Sequence, residues 1–583
     1  MAVLAHKLPA EPTPAPAPAP VPASHPVRAV IVGAAIGAVL AAGNVYAGLK
    51  TGYIDGGSIT AALLGSLLIG LWTRRPAHPL DLNLTQTVAA SAAVMSFAAG
   101  VAAPIPALGL LGHGLSGAVI FAWGLGAGTI GIVLAWALRP RLVVSDGLPF
   151  PSGQATAEII TALSARTGGT ERRVLSLGLA ALTAGIVTYL RDGRFALIPG
   201  TWTFPGTFFA GIFGVGAAAL GLGISMSPLL GATGILVGPR IGICMALGAA
   251  IAWGGIAPIA LAQHLAAEAS YPALVSILLW PGLALMVSSA FVSLACSLPT
   301  LRRSLRDLSS LWAVRAGHGG DKLLVAMAGV GFLLVGCVAA AYFDLGPALL
   351  FGLLPVALIL SAASARAAGE TDQAPVGQVG SLAQVALSGF GVIASLGAGA
   401  LVGGIATQTA QTLWAFKAGH KLGDTNPRRQ LIAQLCGALV GAAVVVPIYA
   451  VVRVAYRLGS EQMPAPAALA WKATSEAAHG PLALAAPLVW KVTLAAAAFG
   501  VLASLLERRG HRFVPSPTAL GAAFLLPASM SASICVGALL FACLHWRRPA
   551  FAKTHGPTLA AGAIAGESLV GLALAAIAAL AIR

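Results

Sequence analysis

Asn44-Val45-Tyr46-Ala47-Gly48-Leu49-Lys50-Thr51-Gly52 returns in worn form 367 residues later as Gln411-Thr412-Leu413-Trp414-Ala415-Phe416-Lys417-Ala418-Gly419, and Gly56 is matched by Gly423. Pro149-Phe150-Pro151-Ser152-Gly153 returns as Pro515-Ser516-Pro517-Thr518-Ala519, at an offset of 366. Basic residues recur in the same order at roughly similar offsets: Arg74 and Arg75 against Arg453 and Arg457, Arg139 and Arg141 against Arg508, Arg509 and Arg512. Each copy sets a Lys-x-Gly element and a Pro-x-Pro element beside long apolar runs. Two repeats in a membrane chain, broken and polar at matching positions, point to a solute path between them.

Composition supports that class. Hydrophobic residues make up 58% and charged residues only 9%, with a mean hydropathy of +0.88, which no soluble globular surface sustains. The 71 glycines suit helices that approach closely in lipid. A formal charge of +16 raises nucleic acid as a partner, but the basic residues fall in short clusters between apolar runs. That is the positive-inside pattern, and it excludes the nucleic-acid reading. The six cysteines lie scattered in apolar segments and read as small buried hydrophobes, neither disulfides nor metal ligands.

Residues 1–26 form a Pro/Ala-rich tail that favours polyproline II or disorder and lacks the apolar core of a signal peptide. Apolar runs of spanning length follow near 27–49, 56–72, 84–104, 112–138, 173–190, 205–225, 240–262, 273–298, 322–343, 346–366, 380–408, 428–452, 485–506, 519–544 and 557–582, with a weaker one at 464–480. A span needs ~20 apolar residues, so the chain reads as an all-α polytopic membrane protein with roughly 14–16 helices in two repeats, some re-entrant or broken. The first repeat occupies 27–225, connecting helices 226–379 and the second repeat 380–583. The loops around Arg74/Arg75, Arg139/Arg141, Arg166/Arg172/Arg173 and Arg302–Lys322 should be cytoplasmic, and with them the N-terminus. Arg191 and Arg194 break that pattern. If 464–480 crosses, Arg453/Arg457 and Arg508/Arg509 are both internal, and the second repeat runs parallel to the first.

Polar residues in the apolar field mark the candidate site. Lys50 and Lys417 each end a long apolar run just before a glycine. Snorkelling to the interface would account for a single lysine, but not for the repeated company of Asn44, Tyr46 or Gln411. A lysine at a helix break suits a carboxylate. The segment 151–163 looks like a re-entrant half-helix starting at Pro151 or Ser152, with Ser152 and Gln154 in its first turn and Glu158 in the next. Its alternative is a capped cytoplasmic helix with a solvated glutamate. Glu370 and Asp372 lie between two apolar runs, in a loop or a site. Glu567 stands ten residues into the last run, where a carboxylate is functional or paired. Arg240, in the broken stretch Val237-Gly238-Pro239-Arg240-Ile241-Gly242, either binds a carboxylate or snorkels.

Several chemistries are absent from the sequence. His113-Gly114-Leu115-Ser116-Gly117 contains a Gly-x-Ser-Gly match that chance explains in so Gly-rich a chain. There is no His-Glu-x-x-His, no Gly-x-x-x-x-Gly-Lys-Ser/Thr loop and no ligand-spaced Cys/His cluster. The expectation is a protein that is not an enzyme, with no cofactor and no bound metal of its own.

Six motifs in order resemble the oligopeptide transporter (OPT) family, in its bacterial branch. They are Asn44-x-Tyr46-x-Gly48-Leu49-Lys50-Thr51-Gly52, Leu148-Pro149-Phe150-Pro151-Ser152-Gly153-x-Ala155-Thr156-Ala157-Glu158, Gly238-Pro239-Arg240-Ile241-Gly242, Gly369-Glu370-Thr371-Asp372-x-x-Pro375, Asn426-Pro427-Arg428-Arg429-Gln430 and Gly566-Glu567-Ser568-Leu569-Val570-Gly571. The resemblance implies a secondary transporter of the bacterial cytoplasmic membrane, importing short peptides or, as in the yellow-stripe branch, metal–chelate complexes, together with protons. One departure stands out: the family's second-repeat motif reads like Asp-Leu-Lys-Thr-Gly, whereas here it is Ala415-Phe416-Lys417-Ala418-Gly419. The expected substrate-binding residues are Asn44, Tyr46, Lys50, Ser152, Gln154, Arg240, Gln411 and Lys417. The expected proton carriers are Glu158, Glu370, Asp372 and Glu567. The partners are then a small molecule or peptide, protons and the lipid bilayer, with oligomeric state open. A polytopic membrane enzyme, the rival class, would need a catalytic constellation that the sequence lacks.

Overall fold

Prolines set the helix starts. In the computed structural model Pro26, Pro79, Pro151, Pro228, Pro347, Pro427, Pro466, Pro517 and Pro549 each open a helix, where a missing N–H costs nothing and the fixed φ is already helical. The structure describes residues 24–164, 170–204, 220–266, 268–296, 303, 322–424, 426–479, 487–511 and 513–581. Most of the N-terminal tail, Arg166, Arg302, Arg315, Arg512 and the core of the 205–225 run lie outside them.

Among the described residues, twelve helices are long and apolar enough to cross a membrane, and Ser58–Thr73 is a shorter apolar one. The remaining apolar runs supply broken pieces. The 84–104 run folds as Pro79–Ala93, Met95–Ala98 and Pro104–Leu110, and the 519–544 run splits into Pro517–Leu525 and Ala528–Arg547 around Pro527. Gly238 takes φ 82° inside Pro228–Ile251 and kinks it before Pro239, a backbone that only glycine adopts freely. A small antiparallel hairpin pairs Thr201–Thr203 with Gly223–Ser225.

Helix directions follow from contacts. Gly33 lies against Thr85 and Val88, Gly37 against Ala89 and Ala92, so Pro26–Thr51 and Pro79–Ala93 run the same way. Gly419 lies against Asn83 and Gly404 against Ala98, so Val392–Lys421 runs the opposite way. The two Lys-x-Gly helices are therefore antiparallel. Lys50 sits at one end of the bundle, beside Ala465, and Lys417 at the other, beside Gly147. The expected parallel alignment fails for the Lys-x-Gly pair, whereas Pro151 and Pro517 start their helices at the same end of the bundle: Arg508, shortly before Pro517, lines one cavity with Glu370 and Thr371, next to the Asp372 that clamps Ser152. The error came from placing Arg453 on the same face as Arg508. The Pro427–Ala455 helix starts with Gln430 against Thr87 and Ala415, and it ends with Tyr449 and Arg453 beside Gly109 and Gly114, on the far face. Pro466–His479, only 14 residues long, does not bring the chain back across.

What holds the three central helices together is a fully buried seam of neutral polar side chains. Ser91 donates to Gln434 O (2.7 Å), Gln408 to Ser91 Oγ (2.8 Å) and Gln430 to Ala415 O (2.9 Å). Close backbones make these bonds possible: Gly437 meets Ser91, and Gly441 meets Ala92 and Met95.

Candidate functional site

Lys50 lies in the last turn of Pro26–Thr51. Side chains on a helix lean toward its N-terminus, so the ammonium turns back into the bundle instead of reaching out to the interface. Its Nζ stands 2.9 Å from Glu567 Oε1 and 3.3 Å from the Tyr46 hydroxyl. Glu567, wholly buried, is carried on Pro549–Ala581. Small residues bring that helix close enough: Gly562 lies on Leu177, Gly566 on Ala181 and Gly571 on the Tyr46 ring.

Arg191 closes the cluster from the end of Thr170–Asp192. Its NH2 lies 3.1 Å from Glu567 Oε1 and 2.5 Å from Asp192 Oδ2, and NH1 donates to Met226 O at 3.0 Å. Ser227 Oγ donates to the Glu567 carboxylate at 2.7–2.8 Å, and the Leu229 N–H donates to Oε2 at 2.8 Å. These last two come from the start of Pro228–Ile251, so a helix N-terminus points at the anion. Two cations and one anion thus share the buried centre, and the exposed Asp192 holds Arg191 at its rim. The Glu567 carboxylate is saturated by donors on both oxygens.

Above this centre opens a cavity of about 590 Å³ lined by Tyr46, Lys50, Arg191, Asp192, Ser225, Tyr456, Glu461 and Gln462, among others. Tyr46 and Tyr456 meet edge to face with centroids 6.3 Å apart. Both signs of charge face one space, on the side of the bundle where Pro427–Ala455 ends. Such a pocket suits a small ligand bearing both a carboxylate and an amine, and its size falls within the ~300–1,000 Å³ of small-molecule sites.

The other expected residues lie elsewhere. Asn44 braces the backbone: its amide donates to Asp55 O (2.7 Å) and Ala93 O (3.0 Å). Gln411 is buried and donates to Ser58 Oγ at 3.3 Å. Lys417 is buried at the opposite end of the bundle, 3.4 Å from Gly147 O. The helix Pro151–Ser164 begins where the sequence placed it, but its first turn is clamped: Ser152 N and Oγ donate to Asp372 at 2.9 and 2.5 Å. Gln154 folds back on Pro149 O. Arg366 joins the clamp, at 2.5 Å from Asp146 and 3.3 Å from Glu370. Arg240 is exposed and pairs with Glu507 at 2.8 Å. Glu158 is exposed. Of the twelve expected residues, only Tyr46, Lys50 and Glu567 come together, the first two lining the cavity and Glu567 buried beneath them.

Sequence reasoning missed Asp192, Tyr456 and Glu461, and it took Arg191 for a flaw in the topology. Ser227 stands directly before Pro228, a pair that signals a helix start in the sequence. The signal that could have found Arg191 was its misfit itself: an arginine where the loop charge argues against one is an arginine with a partner.

The sequence profile described as "OPT oligopeptide transporter protein" matches residues 26–578. A Haemophilus influenzae protein named as a candidate oligopeptide transporter is 26% identical over 605 residues, covering 91% of this chain and 92% of its own. Metal-nicotianamine transporter YSL2 of Arabidopsis thaliana is 24% identical, covering 93% and 91%. Iron-phytosiderophore transporter YSL15 of Oryza sativa subsp. japonica is 23% identical, covering 93% and 90%.

Proposed function

The chain belongs to the OPT oligopeptide transporter family, whose members are transporters and not enzymes, and from that premise we propose that it imports small peptides or peptide-like solutes by proton symport. The observation that carries this reading is the mixed-charge cavity over the Lys50–Arg191–Glu567 centre. A peptide's carboxylate competes with Glu567 for Lys50, while Asp192 and Glu461 offer places for its amine. Tyr46 and Tyr456 wall the space and leave backbone amides a polar, aromatic surface. The protein sits in the bacterial cytoplasmic membrane with the face carrying His25, Arg139 and Arg508 in the cytoplasm, so the cavity opens outward. Asn44, Gln411 and Lys417 support the helix breaks that this movement needs, and the clamp of Ser152, Gln154, Glu370 and Asp372 gates the inner face.

A second reading has a specific observation behind it, the likeness to metal-nicotianamine and iron-phytosiderophore transporters. Nicotianamine-like chelators also present carboxylates and amines. Among the described residues no group of three His, Cys, Asp or Glu could hold a bare metal ion, so a metal would travel inside its chelate and the cavity would read the chelator.

Uptake into proteoliposomes tests both. Labelled dialanine should accumulate when the outside is more acidic, and Lys50→Met should raise the apparent KM at least tenfold. If a nicotianamine–metal complex accumulates and dialanine neither accumulates nor competes, the second reading replaces the first. If neither moves, or movement ignores the pH gradient, symport of this class is wrong.

A further inference from the structure

Pro26–Thr51 ends at Gly52 with φ 77°, and the chain then folds back along the helix that it has just left. Gly48 lies against Ile54 and Tyr53. Asn44 brackets Asp55, accepting from its N–H at 3.2 Å and donating to its carbonyl at 2.7 Å. Gly57, with φ 70°, rests on Leu40 and Ala93 before Ser58–Thr73 begins. Leu40 is close to the middle of the 26-residue helix. The irregular segment 52–57 therefore runs from the helix end to mid-depth of the bundle, with Asp55 level with Asn44, about two turns in from that end. Backbone without helical bonding is tolerated at that depth only where it is buried in protein or lines a water-filled space. Ile54, Asp55, Gly56 and Ser58 are half-buried, not sealed, which points to the second case.

Asp55 is the acid on this loop, and it differs from Glu567 in its company. Glu567 holds two cations and two further donors; a proton placed on it would strand Lys50. Among the described residues no ion pair engages Asp55. The groups around it are neutral: the Asn44 amide on its own backbone, Gln411 across from Gly56 and Ser58, the Gly57 N–H, and Tyr53 as the titratable neighbour. An intramembrane ionisable residue marks a functional site by default, and a carboxylate with no cation beside it has a proton as its means of neutralisation.

We propose that Asp55 is the carboxylate that carries the coupling proton, a role that rests on the symport reading above. Asp55 and Lys50 hang on nearly opposite sides of one helix end, either side of the Gly52 break. A substrate carboxylate at Lys50 and a proton at Asp55 then bias the same movable element, which is what coupling requires. Protonation removes the loop's charge, so the segment can exchange between faces at lower cost.

Asp55→Asn separates this from a structural role, because asparagine serves the turn before a helix as well as aspartate does. In proteoliposomes, Asp55→Asn should keep dialanine exchange within about twofold of the native protein while gradient-driven accumulation falls at least tenfold; Asp55→Glu should restore part of it. Accumulation by Asp55→Asn equal to the native protein overturns the proposal. So does equal loss of exchange and accumulation in a variant that melts like the native protein. A second readout needs no substrate: infrared titration of the carboxyl C=O band in the reconstituted protein. One protonating carboxyl should vanish in Asp55→Asn. Identical titrations overturn the proposal even if dialanine is not the solute, whereas a lost band with no dialanine uptake by the native protein refutes only the substrate reading.

Discussion

Replacing Glu567 by Gln should expose how the buried centre is held together, because its partners are unequally insured. Arg191 keeps Asp192 at 2.5 Å and Met226 O at 3.0 Å when Glu567 loses its charge. Lys50 keeps only the Tyr46 hydroxyl at 3.3 Å, with its ammonium 5.3 Å from that ring's centroid. The penalty therefore falls on Lys50. Leaving one member of a buried pair without its counter-charge costs about 3–5 kcal/mol. Lys50→Met alone removes the compensating cation and should cost less, about 1–3 kcal/mol, since Arg191, Ser227 and Leu229 still serve the carboxylate. The pair Lys50→Met/Glu567→Gln should cost clearly less than the two single changes added, with a coupling of about 2 kcal/mol or more. Adding Arg191→Met to Glu567→Gln should bring no such relief, because Arg191 still has Asp192 and Met226 O and is not the cation left unpaired. Unfolding in mixed micelles, followed by denaturant midpoint, measures all five proteins. Additive single costs below about 1 kcal/mol each would refute the coupled centre.

Four further outcomes follow from single contacts. Gly441→Ala places a Cβ 2.6 Å from both Ala92 O and Met95 Cγ, so it should destabilise by about 1–3 kcal/mol, seen as a lowered midpoint. Gly369→Ala meets the Phe150 ring at 2.8 Å; because Phe150 is buried with φ 43° and has nowhere to go, proteolysis near 146–154 should quicken. Arg366→Leu should loosen the same segment by freeing Asp146 and Glu370, with hydrogen exchange at 146–152 rising while exchange at Lys50 stays unchanged. Cysteines at Ser460 and Asp424, beyond opposite ends of Pro427–Ala455, should react with impermeant reagents from opposite sides; labelling from one side would overturn that crossing and the placing of Arg453 on the far face.

Much of this architecture is legible along the chain because lipid leaves few options. Apolar runs bounded by Pro and Gly had to be helices, and the fully buried Glu567 was conspicuous for the same reason. Direction was not legible. Lys50-Thr51-Gly52 and Lys417-Ala418-Gly419 read alike whichever way their helices point, since a short motif fixes local chemistry and not the sense of a crossing. The Arg453/Arg457 cluster then tipped the choice, and an arginine count has no means of knowing that a 14-residue helix turns back.

The site was half legible for a related reason. A lone charge in an apolar run announces a partner but not its identity, and the partners of Glu567, namely Lys50, Arg191 and Ser227, each lie hundreds of residues from it in sequence. Clusters of polar residues in sequence misled in the opposite direction. Ser152, Glu370 and Asp372 are dense in polarity because they lock one loop to another at the end of the bundle opposite Lys50, where water competes and a clamp needs several bonds. Asp55 went unnoticed amid glycines in what reads as a connecting turn. Only the fold shows that the turn rests on Leu40, near the middle of the helix that precedes it. Depth in the membrane, not residue type, separates a solvated loop acid from a proton site, and depth is a property of packing. On the proposed reading the two acids near this helix end therefore divide the labour: Glu567, fixed as an anion by its neighbours, would hold the cation that substrate competes for, and Asp55, held by neutral groups alone, would be the one free to change its charge.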